Sequence, residues 1–343
     1  MKAAVFRKPY STMEIEDWDT PVPGAREVLI KVAACGVCHT DLHFIDHGVP
    51  PLTEPPVILG HEITGTVETV GEAVDSVKKG QRVLVPVVIP CGECTFCQCG
   101  KTNLCRERTI PGNKIHGGYA EYVKVPVSGA LPLPDEVPLE TGAVLADAFG
   151  TSFHAIVDVG KIQKGETLLV FGAGGLGTAA IQIAKHAGAR VIALDMNPLK
   201  LQWAEEMGAD ETVNSHGIRD LGAHVRDLTD GGVDVAYEAI GAPRTIYQAF
   251  TCLGPEGRLI VAGYTRNEVK FPEPNLIFEE RSIFGVLGCP VSSYYTLFEH
   301  VVAGDYDIEA LATKRMPLEE IEKALTSVRS GQTLRTILTP WQD

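Results

Sequence analysis

The stretch TLLVFGAGGLGTAAIQIA constrains the fold of this chain more than any other. An apolar run at 167–171 leads at once into Gly172, Gly174 and Gly177 in G-x-G-x-x-G spacing, and then into a helical pattern. A sharp turn, a close backbone approach to a pyrophosphate and tight helix–strand packing each call for a residue without a β-carbon. The helix start adds N–H groups and partial positive charge. A glycine triplet alone is a weak signal; here the strand before it and the helix after it supply the required context. The rhythm continues through RVIALD, PLKLQWAEEMG, VDVAYEAIG and RLIVAG, and such alternation predicts a parallel, doubly wound sheet. RVIALD ends in Asp195, 18 residues after Gly177, where a carboxylate accepts hydrogen bonds from ribose hydroxyls and repels a 2′-phosphate. NAD is therefore favoured over NADP. Gly175 and Leu176 complete the phosphate turn, and Lys200 is a further candidate beside the ribose.

The first third reads differently. EVLIKVAA, EITGTVETVG, QRVLVPVV and YAEYVKV are short half-buried runs bounded by Gly, Pro or charge, which predict an irregular, barrel-like β domain. A proline-rich connector at 126–138 closes it, and helical periodicity begins at Leu139. After residue 288 come two helical stretches, with Pro317 opening the second, and the strand-like LRTILTP. At 343 residues, two domains are expected. A formal charge of −14 without a basic patch argues against nucleic acid as a partner. No stretch is long and apolar enough to span a bilayer, and the opening residues lack a signal-peptide pattern, so a cytoplasmic protein is expected.

Cys91, Cys94, Cys97 and Cys105 lie within fifteen residues in a C-x2-C-x2-C-x7-C array. Soft thiolates on short spacers wrap one Zn²⁺ tetrahedrally, so a closed structural zinc site is expected, with Cys99 as a bystander. Upstream, CGVCHTDLH and LGHEITG present Cys38 and His61, one sulfur and one nitrogen of the kind a catalytic zinc uses when its fourth position stays open.

In their order along the chain, G-V-C-H-T-D, G-H-E, the four-cysteine lobe and G-A-G-G-L-G resemble the zinc-dependent medium-chain dehydrogenase/reductase family, the zinc-containing alcohol and polyol dehydrogenases. The resemblance runs over nearly the whole chain. It implies an α/β protein with a GroES-like, β-rich catalytic domain at 1–150, completed by 288–343, and a Rossmann domain at 151–287. It implies that Cys38 and His61 hold the catalytic zinc, that Glu62 is a carboxylate able to approach it, and that Asp41 orients a ligand histidine. Many relatives have a cysteine as third ligand; the matching stretch here, GAVLADAFGTSFHA, has Asp147 instead. Cys35 and Cys289 are the other nearby thiols.

By the same resemblance, Thr40 contacts the substrate oxygen, His43 passes a proton to solvent through the cofactor ribose, and His39 lies near the cofactor phosphates. The expected activity is reversible, NAD-linked hydride transfer between a primary or secondary alcohol and its carbonyl, with two zincs per subunit in a homodimer or homotetramer. Polyol, sugar or cyclic alcohols, including CoA-linked ones, form the alternative, towards which Asp147 tilts the reading. A zinc-independent enone or quinone reductase is opposed by Cys38, His61 and Asp195. A scaffold that only senses nucleotides is opposed by the intact ligand and relay positions.

Overall fold

Thr167–Phe171, the run before the glycines, is a central strand of a six-stranded parallel sheet in the computed structural model, which describes residues 1–341. The sheet order is Glu211–Asn214, Arg190–Asp195, Thr167–Phe171, Val233–Glu238, Leu253–Val261 and Ser282–Gly285, with every neighbouring pair parallel. Leu168 through Phe171 are fully buried, as expected of a parallel strand covered on both faces. Leu169, Ile192, Ala236, Phe250 and Leu259 anchor the core of this unit, which spans Thr151–Leu287.

The second unit combines Met1–Gly150 with Gly288–Asp343. Its main sheet runs Lys314–Pro317, Thr336–Thr339, Glu27–Val37, Glu62–Val70, Arg82–Val85 and Leu131–Pro132, with Tyr122–Pro126 also paired to Glu27–Val37. Glu27–Val37 alternates imperfectly between buried and half-buried positions, and register shifts at Leu29/Ile30 and Val32/Ala34 bend its pairing with Glu62–Val70. A three-stranded sheet of Glu14–Asp17, Lys2–Phe6 and Val57–Ile58 completes the β structure. Val5, Ile30, Ile63, Val85, Tyr119, Leu325 and Leu338 belong to one shared core.

Two local expectations are revised. The connector is not all loop: Leu131–Pro132 pairs with Arg82–Val85. Pro317 does not open the helix directly but ends a strand, and a 3-10 turn at Leu318–Glu320 intervenes before the helix Ile321–Arg329. Among the described residues no helix is long and apolar enough to cross a membrane.

Candidate functional site

Cys38 follows the strand Glu27–Val37 directly and is the N-cap of the helix His39–Ile45. Its thiol accepts from the Thr40 N–H at 3.5 Å, while the Asp41 carboxylate accepts from the Cys38 N–H at 3.1 Å. This reciprocal cap fixes the sulfur's direction with a helix start. Glu62 pairs with Gly36 across the sheet, and a β-carbon on Gly36 would come within 1.9 Å of Glu62 Oε2. Gly36 therefore makes room for a buried carboxylate. Asp147 sits between the 3-10 turn Ala143–Leu145 and the helix Ala148–Phe153, where the Tyr294 hydroxyl donates to the Ala146 carbonyl at 2.5 Å.

These elements bring together four buried donors: Cys38, His61, Glu62 and Asp147 each offer an atom within 4.8 Å of the others. Asp147 Oδ2 lies 3.7 Å from both Cys38 Sγ and His61 Nε2. Behind the histidine, Asp41 Oδ1 is 3.6 Å from His61 Nδ1, beyond hydrogen-bond length, and Asp41 Oδ2 accepts from the Tyr119 hydroxyl at 2.7 Å. Both Glu62 oxygens and Asp41 Oδ1 are buried without a hydrogen-bond partner. Arg335 Nη2 stands 3.2 Å from Glu62 Oε1 but out of line for a hydrogen bond, and Arg335 Nη1 donates to the Val37 carbonyl at 3.3 Å.

The electrostatics point the same way. Burial pushes the Glu62 carboxyl up to about 7 despite the pull of Arg335. Burial works against a charged His61, yet the Asp41 carboxylate, with hydrogen bonding to Asp147, raises its pKa well above the usual histidine range. The field at this point favours a cation. One sulfur, one imidazole and two carboxylates, of which Glu62 has both oxygens unpartnered, suit a dication of borderline softness such as Zn²⁺. Cys35 and Cys289 are buried but do not join the group.

Thr40 is exposed, with its Oγ1 3.6 Å from Cys38 Sγ. His43 is half-buried, with its Nδ1 3.1 Å from His47 Nδ1. Burial, then His47, lowers its pKa, which leaves a neutral imidazole at pH 7. His39 is exposed at the start of the same helix.

The four-cysteine lobe forms a second cluster. Its sulfurs are separated by 3.9 Å for Cys91 to Cys97, 3.5 Å for Cys94 to Cys97 and 3.8 Å for Cys94 to Cys105. A tetrahedron with Zn–S bonds of about 2.3 Å has edges of about 3.8 Å, whereas a disulfide needs about 2.05 Å. The Arg106 and Cys97 N–H groups pull Cys94 down to about 6, while burial drives Cys97 up to about 12. Cys99 lies outside this cluster, its thiol directed to the Phe96 carbonyl.

In the other unit, Gly174 caps the helix Gly175–His186 without a side chain, so Gly175, Leu176 and Gly177 begin the helix with N–H groups that lack intrahelical partners. A β-carbon on Gly177 would sit 1.9 Å from the Gly172 carbonyl oxygen. Lys200 Nζ is 4.0 Å from the β-carbon position of Gly174. Asp195 accepts from the N–H groups of Ala173, Met196 and Asn197 at 2.8 to 3.0 Å. Its carboxylate therefore shapes the turn as well as standing at the strand end.

Sequence reading missed Arg335, Tyr119 and His47. A buried arginine in the apolar run LRTILTP was the one available signal; nothing in the sequence tied Tyr119 to Asp41.

Residues 24–135 match the family model described as alcohol dehydrogenase GroES-like domain, and residues 175–303 the one described as zinc-binding dehydrogenase. Among curated proteins, the L-threonine 3-dehydrogenase of Stenotrophomonas maltophilia (strain K279a) is 31% identical over 345 residues, covering 99% of each chain. Among solved structures, the alcohol dehydrogenase of Aeropyrum pernix is 33% identical with a TM-score of 0.90, covering 99% of this chain and 100% of that one. The 2R,3R-butanediol dehydrogenase of Bacillus subtilis is 28% identical with a TM-score of 0.88 and 99% coverage of each.

Proposed function

The chain belongs to the zinc-dependent medium-chain dehydrogenase/reductase family, and from that premise we propose that it is an NAD-linked alcohol dehydrogenase with one catalytic and one structural zinc. The observation that carries this reading is the buried group Cys38, His61, Glu62 and Asp147, in which both Glu62 oxygens are without a hydrogen-bond partner and call for a cation. Cys38, His61 and Asp147 would hold the catalytic metal, with Glu62 as the adjacent carboxylate, and Cys91, Cys94, Cys97 and Cys105 the structural one. The chemistry the bound groups supply is Lewis acidity at the alcohol oxygen and hydride acceptance at the nicotinamide.

The chain's own residues manage the proton. Loss of a hydride and a proton turns the alcohol into its carbonyl, so a base must receive the hydroxyl proton. Thr40, held beside Cys38 by the helix cap, presents a hydroxyl to the substrate oxygen, and the neutral His43 accepts the proton for release to solvent. Asp41, anchored by Tyr119, restrains the ring of His61. The N–H groups opening the helix Gly175–His186 receive the cofactor phosphates, with Lys200 as a cationic neighbour. Asp195 favours ribose hydroxyls over a 2′-phosphate, hence NAD over NADP. A cytoplasmic homodimer or homotetramer is the form in which we place this activity.

The test joins metal content to turnover. Elemental mass spectrometry should find two zincs per chain, falling to one in Asp147→Ala, with NAD-dependent oxidation lost in the same variant. The panel should include primary, cyclic and polyhydroxylated alcohols, and also L-threonine and 2,3-butanediol, the substrates named by two relatives. Two zincs retained in Asp147→Ala would move the third ligand to Glu62. NADH formation from no alcohol by the two-zinc protein would reject the activity itself.

Gly177→Ala is expected to weaken NAD binding at least about tenfold, because its β-carbon must displace the Gly172 carbonyl from the phosphate turn. Fluorescence titration measures this directly. An unchanged affinity would mean the cofactor does not rest on this turn.

A further inference from the structure

Strands Arg190–Asp195 and Glu211–Asn214 lie on one side of Thr167–Phe171, and Val233–Glu238 and Leu253–Val261 on the other. Right-handed crossovers then put the helix Gly175–His186 on one face of the sheet and the helix Pro243–Thr251 on the opposite face. On that opposite face, the helices Leu221–Thr229 and Pro243–Thr251 wall an open pocket of about 600 Å³, a volume suited to a small metabolite.

Its lining is unusual for a chain with a formal charge of −14. Arg219, Arg226, Arg244 and Arg281 all face it, against Asp220 as the single acidic lining residue. The Asp220 carboxylate is engaged in capping its helix, accepting from the Ala223 N–H at 2.9 Å. Two of the arginines are fixed by backbone. Arg226 Nη1 donates to the Thr251 carbonyl at 2.6 Å, and Arg281 Nη1 to the Phe250 carbonyl at 2.9 Å. Arg281 is 7% exposed, lies over the Phe250 ring, and has a buried Nε with no hydrogen-bond partner. The other two, Arg219 and Arg244, stand exposed at the rim. Glu279 pairs with Arg281, but among the described residues no carboxylate pairs with Arg219, Arg226 or Arg244.

Surface arginines are ordinarily solvated singly or matched to carboxylates. Here four converge on one concavity, two of them held in place, where low-dielectric walls concentrate a positive potential. Planar guanidinium forks match the oxygens of phosphate in paired hydrogen bonds. Tyr247, 44% exposed on the same wall, offers a ring face to the remainder of a ligand. We propose that this pocket is a binding site for a phosphorylated small molecule carrying at least two negative charges, gripped at the rim by Arg219 and Arg244 and seated over Arg226 and Arg281. It is separate from the glycine loop and does not depend on the dehydrogenase reading.

The experiment is calorimetric titration of inorganic phosphate into the full, zinc-loaded chain kept saturated with NAD⁺, with chloride at equal ionic strength as control. One phosphate per chain is expected. Arg219→Gln and Arg244→Gln should each weaken it about tenfold and together about a hundredfold, each losing a charge-assisted contact. NAD affinity and alcohol turnover should not change. If circular dichroism shows the double variant unfolded, the two single variants decide. No heat above the chloride control at millimolar phosphate would overturn the proposal, as would undiminished binding in the variants. Binding seen only when NAD⁺ is left out would also overturn it, because the anion would then belong to the glycine loop.

Discussion

Cys38→Ser is expected to lower alcohol-dependent NADH formation by about 10³-fold or more, with the fold and NAD affinity retained. The sulfur does two jobs. It belongs to the four-donor group with His61, Glu62 and Asp147, and it accepts from the Thr40 N–H to start the helix that also carries His43. Serine is itself a good helix N-cap, so the second job survives the exchange. What disappears is the one soft, charge-bearing donor of the set, leaving a neutral hydroxyl that binds zinc far less well. A 10³-fold loss corresponds to about 4 kcal/mol of barrier, within the several kcal/mol that Lewis-acid catalysis supplies. Steady-state kinetics, NAD titration and zinc analysis on one preparation check the split. Retained turnover would remove the metal from the mechanism, and lost NAD binding would mean that the exchange had damaged more than the metal group.

Cys105→Ser should be the other severe change, acting on stability. Cys105 is fully buried, accepts from the Cys91 N–H at 3.3 Å, and lies 3.8 Å from Cys94 Sγ. Around it the lobe has little apolar anchorage: the helix Thr95–Gln98 buries none of its residues. A segment with so little core depends on its metal bonds for order, because zinc binding free energy is folding free energy for such loops. One zinc per chain should be lost and Tm should fall by about 10 °C, the response of a unit this size to a few kcal/mol. Limited proteolysis should cut within 91–105. A full complement of two zincs with Tm within about 2 °C of the parent would show that the lobe folds without metal.

What could be read from the sequence was local chemistry on contiguous stretches. The glycine turn, the apolar strand Thr167–Phe171 and the cysteine lobe each declare themselves within about twenty residues, because spacing alone brings their groups together. The buried group of four donors is different. Its members lie at 38, 61, 62 and 147, and only the family likeness suggested Asp147. Arg335 escaped notice because its relation to Glu62 runs through the pairing of Thr336 with Val37, a contact between distant parts of the chain. Strands such as Glu14–Asp17 and Lys314–Pro317 were equally hard to see. They are short, at least half charged and at sheet edges, where water tolerates what a central strand would not.

The order in which these parts are synthesised follows from the strand Thr336–Thr339. It pairs with Glu27–Val37, and the neighbouring Arg335 reaches Glu62, yet both follow the whole of Thr151–Leu287 in the chain. On the ribosome, the unit Thr151–Leu287 emerges complete while the group Cys38, His61, Glu62 and Asp147 still lacks its arginine and its last central strand. Carboxylates gathered early would meet one another before their countercharge arrives. The four donors are thus complete by residue 147 while their countercharge arrives only with Arg335, so a chain stalled before its last strand holds the whole donor set without the arginine that faces Glu62.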